Sequence, residues 1–132
     1  MSRLKERIEN FDRAYSIFFD AVNAYKKNNK DVLIQMALVQ SYEICFELAW
    51  KVLKDYLLAK NIEVFTPKDV IKTSFNAQII PNGQIWIDMA NDRNSTSHEY
   101  NMDKVNIILE KISTDYTKEL ADFKEKIKDF DE

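Results

Sequence analysis

Glycine occurs once in the 132 residues (Gly83) and proline twice (Pro67, Pro81). A β-sandwich or barrel of this length would need many more turn residues to reverse the chain between strands, so an all-helical fold is expected. The same scarcity removes the phosphate-cradling loops, since neither a P-loop nor a dinucleotide fingerprint can be built with one glycine. Cysteine and histidine also occur once each, as Cys45 and His98. One cysteine forms no intrachain disulfide, and zinc needs clustered Cys and His, so neither a metal nor a cofactor is expected. The neighbours Ile44 and Phe46 predict that the Cys45 thiol is buried. Nor is there an excess of one charge: 19 Lys and Arg against 22 Asp and Glu give a net of −3, a field that does not recruit a polyanion to the whole chain. Residues 1–30 are locally basic and the stretch after Asn101 is acidic, as solvated helix faces commonly are. Uninterrupted apolar runs fall short of the roughly 18 residues that span a bilayer, and MSRLKERIENF has no apolar signal segment. No membrane association is expected, and the location expected is cytoplasmic.

What is present suits one helical domain over residues 1–132, because hydrophobic residues make up 45% and charged ones 31%. Leu4, Ile8, Phe11, Tyr15, Phe18, Val22 and Tyr25 are separated by threes and fours, which predicts an amphipathic helix from Ser2 to about Asn28. Asp31 is placed to cap a second helix, which runs to Leu58. Nineteen of the 27 residues from Val32 to Leu58 are apolar, and Gln40, Glu43, Glu47, Lys51 and Lys54 form one narrow polar stripe. Such a helix is either central to a bundle or covered on a second side by another subunit. Thr66-Pro67-Lys68-Asp69 reads as N-cap, first-turn proline and an acid at N3, opening a short helix to about Asn76. Pro81-Asn82-Gly83 marks a turn. A helical piece from Gln84 to about Asp92 follows, then a polar interruption to His98. Val105, Ile108, Ile112, Tyr116, Leu120, Phe123 and Ile127 mark a last long helix from Asp103 to about Phe130. Three long helices plus short ones make an all-α, up-and-down bundle of four-helix type.

Chemistry concentrates in Arg93-Asn94-Ser95-Thr96-Ser97-His98-Glu99-Tyr100, which holds the only His, one of four Arg, and a Tyr. A neutral imidazole, with an unperturbed pKa of about 6.5, can accept a ribose 2′-OH proton. A guanidinium can hold two phosphate oxygens and offset charge on a phosphorane, so the trio suits metal-free phosphodiester chemistry. The residues by themselves leave a structural alternative open: His98 capping the preceding helix, Arg93 paired with Asp92 or Glu99, and Tyr100 covering the end of the bundle. Asp88 and Asp92, one turn apart, are more simply a solvated pair than a metal site. Trp50 and Trp86 are expected in the core. Tyr42, Phe46 and Trp50 are expected to form a packed ridge, and Glu47 to pair with Lys51.

The spacing Arg-x4-His-x-Tyr, carried by Arg93, His98 and Tyr100 with Asn94 beside the Arg, resembles the signature of the HEPN superfamily. The chain is similar in particular to the nucleotidyltransferase substrate-binding proteins related to HepT-type toxins. Supporting blocks are residues 42–51, Thr66 to Ile71, and Trp86 followed by Met89 and Asp92-Arg93-Asn94. The resemblance implies a small helical bundle that forms a homodimer, or a higher assembly of dimers, with Arg and His of both protomers facing a shared cleft. It implies a metal-independent endoribonuclease, encoded beside a minimal nucleotidyltransferase that silences it by adding AMP to the motif Tyr. Under it His98 is the general base or acid, Arg93 the phosphate clamp and Asn94 an orienting or phosphate-contacting group. Tyr100 positions substrate and accepts AMP. Apart from the resemblance, a carboxylate stripe on an otherwise buried helix is suited to line a cleft, which makes Glu47 a supporting or substrate-binding candidate. The alternative is a non-catalytic subunit that binds a nucleotide or presents a substrate to the nucleotidyltransferase. A negative net charge is unusual for a protein that holds RNA, and it demands either a locally basic cleft or a ligand other than RNA.

Overall fold

A computed structural model describes residues 3–98 and 102–130, the side chains of residues 97, 98 and 102 excepted. Helix α1 (Arg3–Lys27) and helix α2 (Val32–Ala59) form an antiparallel hairpin. Asp31 caps α2 as expected, its carboxylate accepting from the Leu33 and Ile34 amides, an arrangement that contributes about 1 kcal/mol to a typical helix. The expected stripe of α1 is buried from Leu4 to Tyr25 except at Ile8, which is half-buried against the core. Arg7 Nε binds the buried Asp55 carboxylate at 2.9 Å and ties the start of α1 to the end of α2. By length and composition α2 could cross a membrane. Here it is the spine of the bundle, with Leu38, Tyr42, Cys45, Ala49, Val52, Leu53 and Leu57 all inside. Burial pushes the Cys45 thiol far above its ordinary pKa, so it stays protonated and inert.

Helix α3 (Pro67–Asn76) starts on Thr66, whose hydroxyl accepts from the Asp69 amide at 3.2 Å. Helix α4 (Gly83–His98) follows the turn, and Asn82 accepts from the Ile85 amide. A Cβ on Gly83 would sit 2.9 Å from the Phe75 ring, so glycine is needed there for the close approach of α3 and α4. The expectation that helix ends near Asp92 is corrected: α4 continues through the polar run to His98. Polarity at 93–96 reports which faces meet water and the cleft, and Thr96 ties the last turn by donating toward the Arg93 carbonyl or the Glu43 carboxylate.

The final segment is helical from Met102 but not uniform. Helix α5 (Met102–Lys111) passes through a π-helical turn (Ile112–Tyr116) into α6 (Thr117–Lys126) and a closing 3-10 turn (Ile127–Asp129). Core positions Ile108, Ile112, Tyr116 and Leu120 are four residues apart, and each such step over-rotates an α-helix by about 40°. Widening one turn, with the Thr117 amide donating to the Ile112 carbonyl, keeps all four buried. The aromatic centre joins all the long elements: Phe11 meets Phe123 edge-on at 5.4 Å, Phe123 meets Trp86 at 5.0 Å, and Tyr42 stacks on Tyr116 at 5.6 Å. Trp50 and Trp86 are both buried, as expected.

Candidate functional site

Arg93 projects from the last two turns of α4 toward α2. Its guanidinium lies 3.7 Å from a Glu43 oxygen and 3.7 Å from a Glu47 oxygen, on successive turns of α2. Glu47 in turn approaches Lys51 at 3.8 Å, so the expected pair exists and extends into a chain of charges. Thr96, one turn beyond Arg93, donates to Glu43 at 2.7 Å and fastens the end of α4 to α2. Pairing of Arg93 with Asp92 does not occur. Neighbours on a helix point about 100° apart, and Asp92 faces the other way, accepting from the Tyr116 hydroxyl and lying 3.6 Å from Lys111.

That second set fixes the rotation of α4. Tyr42 donates to the Met89 carbonyl at 2.6 Å, and the stacked Tyr116 donates to Asp92. Both phenols are held protonated: burial raises their pKa foremost, and the nearby Asp92 raises it further. Two buried tyrosines on α2 and the π-helical turn therefore grip α4 immediately before Arg93, which leaves the guanidinium little freedom to roll away from α2.

Arg93 and Asn94 open onto a cleft of about 590 Å³ whose other walls are Glu47 of α2 and Thr66, Pro67 and Lys68 at the start of α3. Phe46 and Ala90 form its apolar floor. On the far side of Arg93 a shallower depression is lined by Gln40, Glu43, Ile44, Glu47 and Leu48. Of the residues expected at the site, Arg93, Asn94 and Glu47 are thus brought together. His98 closes α4, five residues after Arg93, and its side chain lies outside the described part of the structure. Tyr100 lies outside the described residues altogether. Glu43, Thr96 and Lys68 belong to the site but were not singled out from sequence. The available signals were the Glu43–Glu47 spacing of one turn and the rigid Thr66-Pro67 helix start. Among the described residues no group of three His, Cys, Asp or Glu is placed to hold a metal ion, and Asp88 is engaged by Gln84 at 3.0 Å.

The sequence from residue 6 to 129 matches the family described as nucleotidyltransferase substrate binding protein like. No curated protein is significantly similar. Among solved structures, one from Thermus thermophilus superimposes with a TM-score of 0.69 at 24% identity, over 80% of this chain and 94% of the other. The tri-AMPylated HEPN toxin of Shewanella oneidensis, solved in complex with MNT antitoxin, superimposes with a TM-score of 0.74 at 15% identity, over 97% of this chain and 98% of that one. At these identities the two structures establish a shared fold.

Proposed function

Given that this chain belongs to the nucleotidyltransferase substrate-binding-like family and has the fold of a HEPN toxin, we propose that it is a HepT-like, metal-independent endoribonuclease paired with a minimal nucleotidyltransferase. The observation that carries the reading is the placement of Arg93 and Asn94 on one cleft at the end of the helix that finishes in His98. His98 as base takes the ribose 2′-OH proton, and the 2′-oxygen attacks the adjacent phosphorus. Arg93 offsets the charge on the phosphorane. The P–O5′ bond breaks, an imidazolium returns a proton to the 5′-oxygen, and the products are a 2′,3′-cyclic phosphate and a 5′-hydroxyl. Incubated with single-stranded RNA in excess EDTA, the protein is expected to generate these ends. Intact RNA, from protein shown by mass spectrometry to carry no AMP, would refute the nuclease.

The AMPylated state of the Shewanella toxin supports Tyr100 as the regulatory position. The partner would transfer AMP from ATP to the phenolic oxygen with release of pyrophosphate, adding a bulky anion two residues from His98.

The cleft reading includes a homodimer. Val32, Leu33, Met36 and Ile44 on α2 leave a large apolar stripe uncovered, Leu33 being 77% exposed and Met36 63%. Ile44 and Leu48 border the Arg93–Glu43–Glu47 cluster, so a second copy seated on this stripe would face the first across the Arg93 side of α4. Light scattering at micromolar concentration should give the mass of a dimer or a multiple of it. A monomer of 15.6 kDa would remove the shared cleft.

A further inference from the structure

A net charge of −3 is unfavourable for holding RNA, so any recognition of a phosphate backbone has to be local. The cleft beside Arg93 has that local character. Among the described residues its lining carries two cations, Lys68 and Arg93, against one carboxylate, that of Glu47, and Glu47 is itself shared between Arg93 and Lys51. The two cations come from different elements and stand on different walls. Arg93 is fixed by α2, as described above. Lys68 is the second residue of α3, in a turn locked by the Thr66 cap and by Pro67. Its side chain is exposed and makes no hydrogen bond or ion pair among the described residues. A lysine held on a rigid turn, directed to the same cleft as a paired arginine and without a structural partner, has no role in folding that its surroundings reveal.

Size points the same way. About 590 Å³ falls inside the range of sites that enclose a whole small ligand, roughly 300–1,000 Å³, and far exceeds what one phosphate needs. The chemistry of the two cations also differs. The planar guanidinium suits the phosphate whose charge changes during reaction, whereas an ammonium is a point charge that serves a phosphate merely held in place.

We propose that Lys68 is a phosphate-binding residue of this cleft, contacting the backbone phosphate next to the one held by Arg93, so that the ligand is a single-stranded oligonucleotide with at least two phosphates and not a mononucleotide. The inference rests on the reading of Arg93 as the phosphate clamp. It makes the cleft a track for the strand and the α3 start its second wall.

Binding of a 2′-O-methyl RNA hexamer, which cannot be cleaved by 2′-oxygen attack, isolates this claim from the nuclease claim. Fluorescence anisotropy would compare wild type, Lys68→Ala and Lys68→Arg across about 50–300 mM KCl, with a 2′-O-methyl dinucleoside monophosphate as the one-phosphate probe. Lys68→Ala is expected to weaken the hexamer about five- to tenfold and to lower the slope of log affinity against log salt by about 0.7, one counterion's share for a single strand. Lys68→Arg should restore both, and the one-phosphate probe should not distinguish the three proteins. An unchanged slope, an equal loss for the one-phosphate probe, a Lys68→Arg variant as weak as Lys68→Ala, or no binding of the hexamer by wild type would each overturn the assignment. Hexamer binding that responds as expected, in a protein that leaves ordinary RNA intact, would keep Lys68 as a phosphate contact while refuting the nuclease.

Discussion

Replacing His98 by Ala is expected to lower metal-free RNA cleavage by about 10²–10⁴-fold, the usual contribution of a positioned acid–base group, with no loss of hexamer binding. His98 is the last residue of α4. A thermal transition near that of wild type, measured alongside, would show that the lost rate belongs to the chemistry and not to the fold. Arg93→Ala is expected to cost a comparable factor in rate for a different reason: it removes the group that meets charge on the phosphorane. It also leaves the Glu47 carboxylate lining the cleft without the guanidinium beside it, so hexamer binding should weaken as well. Arg93→Lys would keep a charge but lose the planar fork and should recover only part of the rate. The pair of variants thus separates chemistry from binding. A His98→Ala protein that cleaves as fast as wild type would exclude the imidazole from the reaction, whatever nuclease activity the preparation shows.

The largest effect on stability is expected from Trp86→Ala, a loss of about 3–5 kcal/mol. Trp86 is fully buried, meets Phe123 edge-on at 5.0 Å and Phe46 at 6.1 Å, and donates Nε1–H to Glu119 at 3.0 Å. It therefore joins α4 to α2 and α6 at one point. Truncation opens a cavity there and also removes the hydrogen bond to the Glu119 carboxylate. With a urea dependence of about 1–3 kcal/mol per molar for small domains, the midpoint should fall by at least about 1 M at fixed protein concentration. Trp86→Phe refills most of the volume and should recover most of the loss, the remainder being about 1–2 kcal/mol for the missing donor. A shift below about 1 kcal/mol for the alanine variant would mean that α4 is held chiefly by the Tyr42 and Tyr116 hydrogen bonds, and not by the aromatic core.

Much of this architecture is legible locally. The threes and fours from Leu4 to Tyr25 place α1 and its buried face. The Asp31 and Thr66 caps fix where α2 and α3 begin. The over-apolar composition of α2 shows in the structure as a buried face plus an uncovered stripe from Val32 to Ile44. At Arg93–Ser97 the polar run predicts an interruption where the structure has helix: a polar helix end and a loop have the same composition, and only contacts to other helices tell them apart. The π-helical turn had a trace in sequence, the core residues at uniform steps of four through Ile108, Ile112, Tyr116 and Leu120. That trace could be understood only once all four were seen buried together.

By itself, then, the sequence determined the all-helical class, the helix starts and the inward faces. Each of these depends on periodicity, capping and turn residues within a few positions of one another. Tertiary structure alone decided that Arg93 meets Glu43 and Glu47, that Asp92 turns away to Tyr116, and that Lys68 shares a cleft with Arg93. These pairings join residues about 25 to 50 positions apart, and they depend on the rotation and crossing of each helix against its neighbours. That geometry is set by how the ridges of buried side chains interlock, which no local pattern encodes.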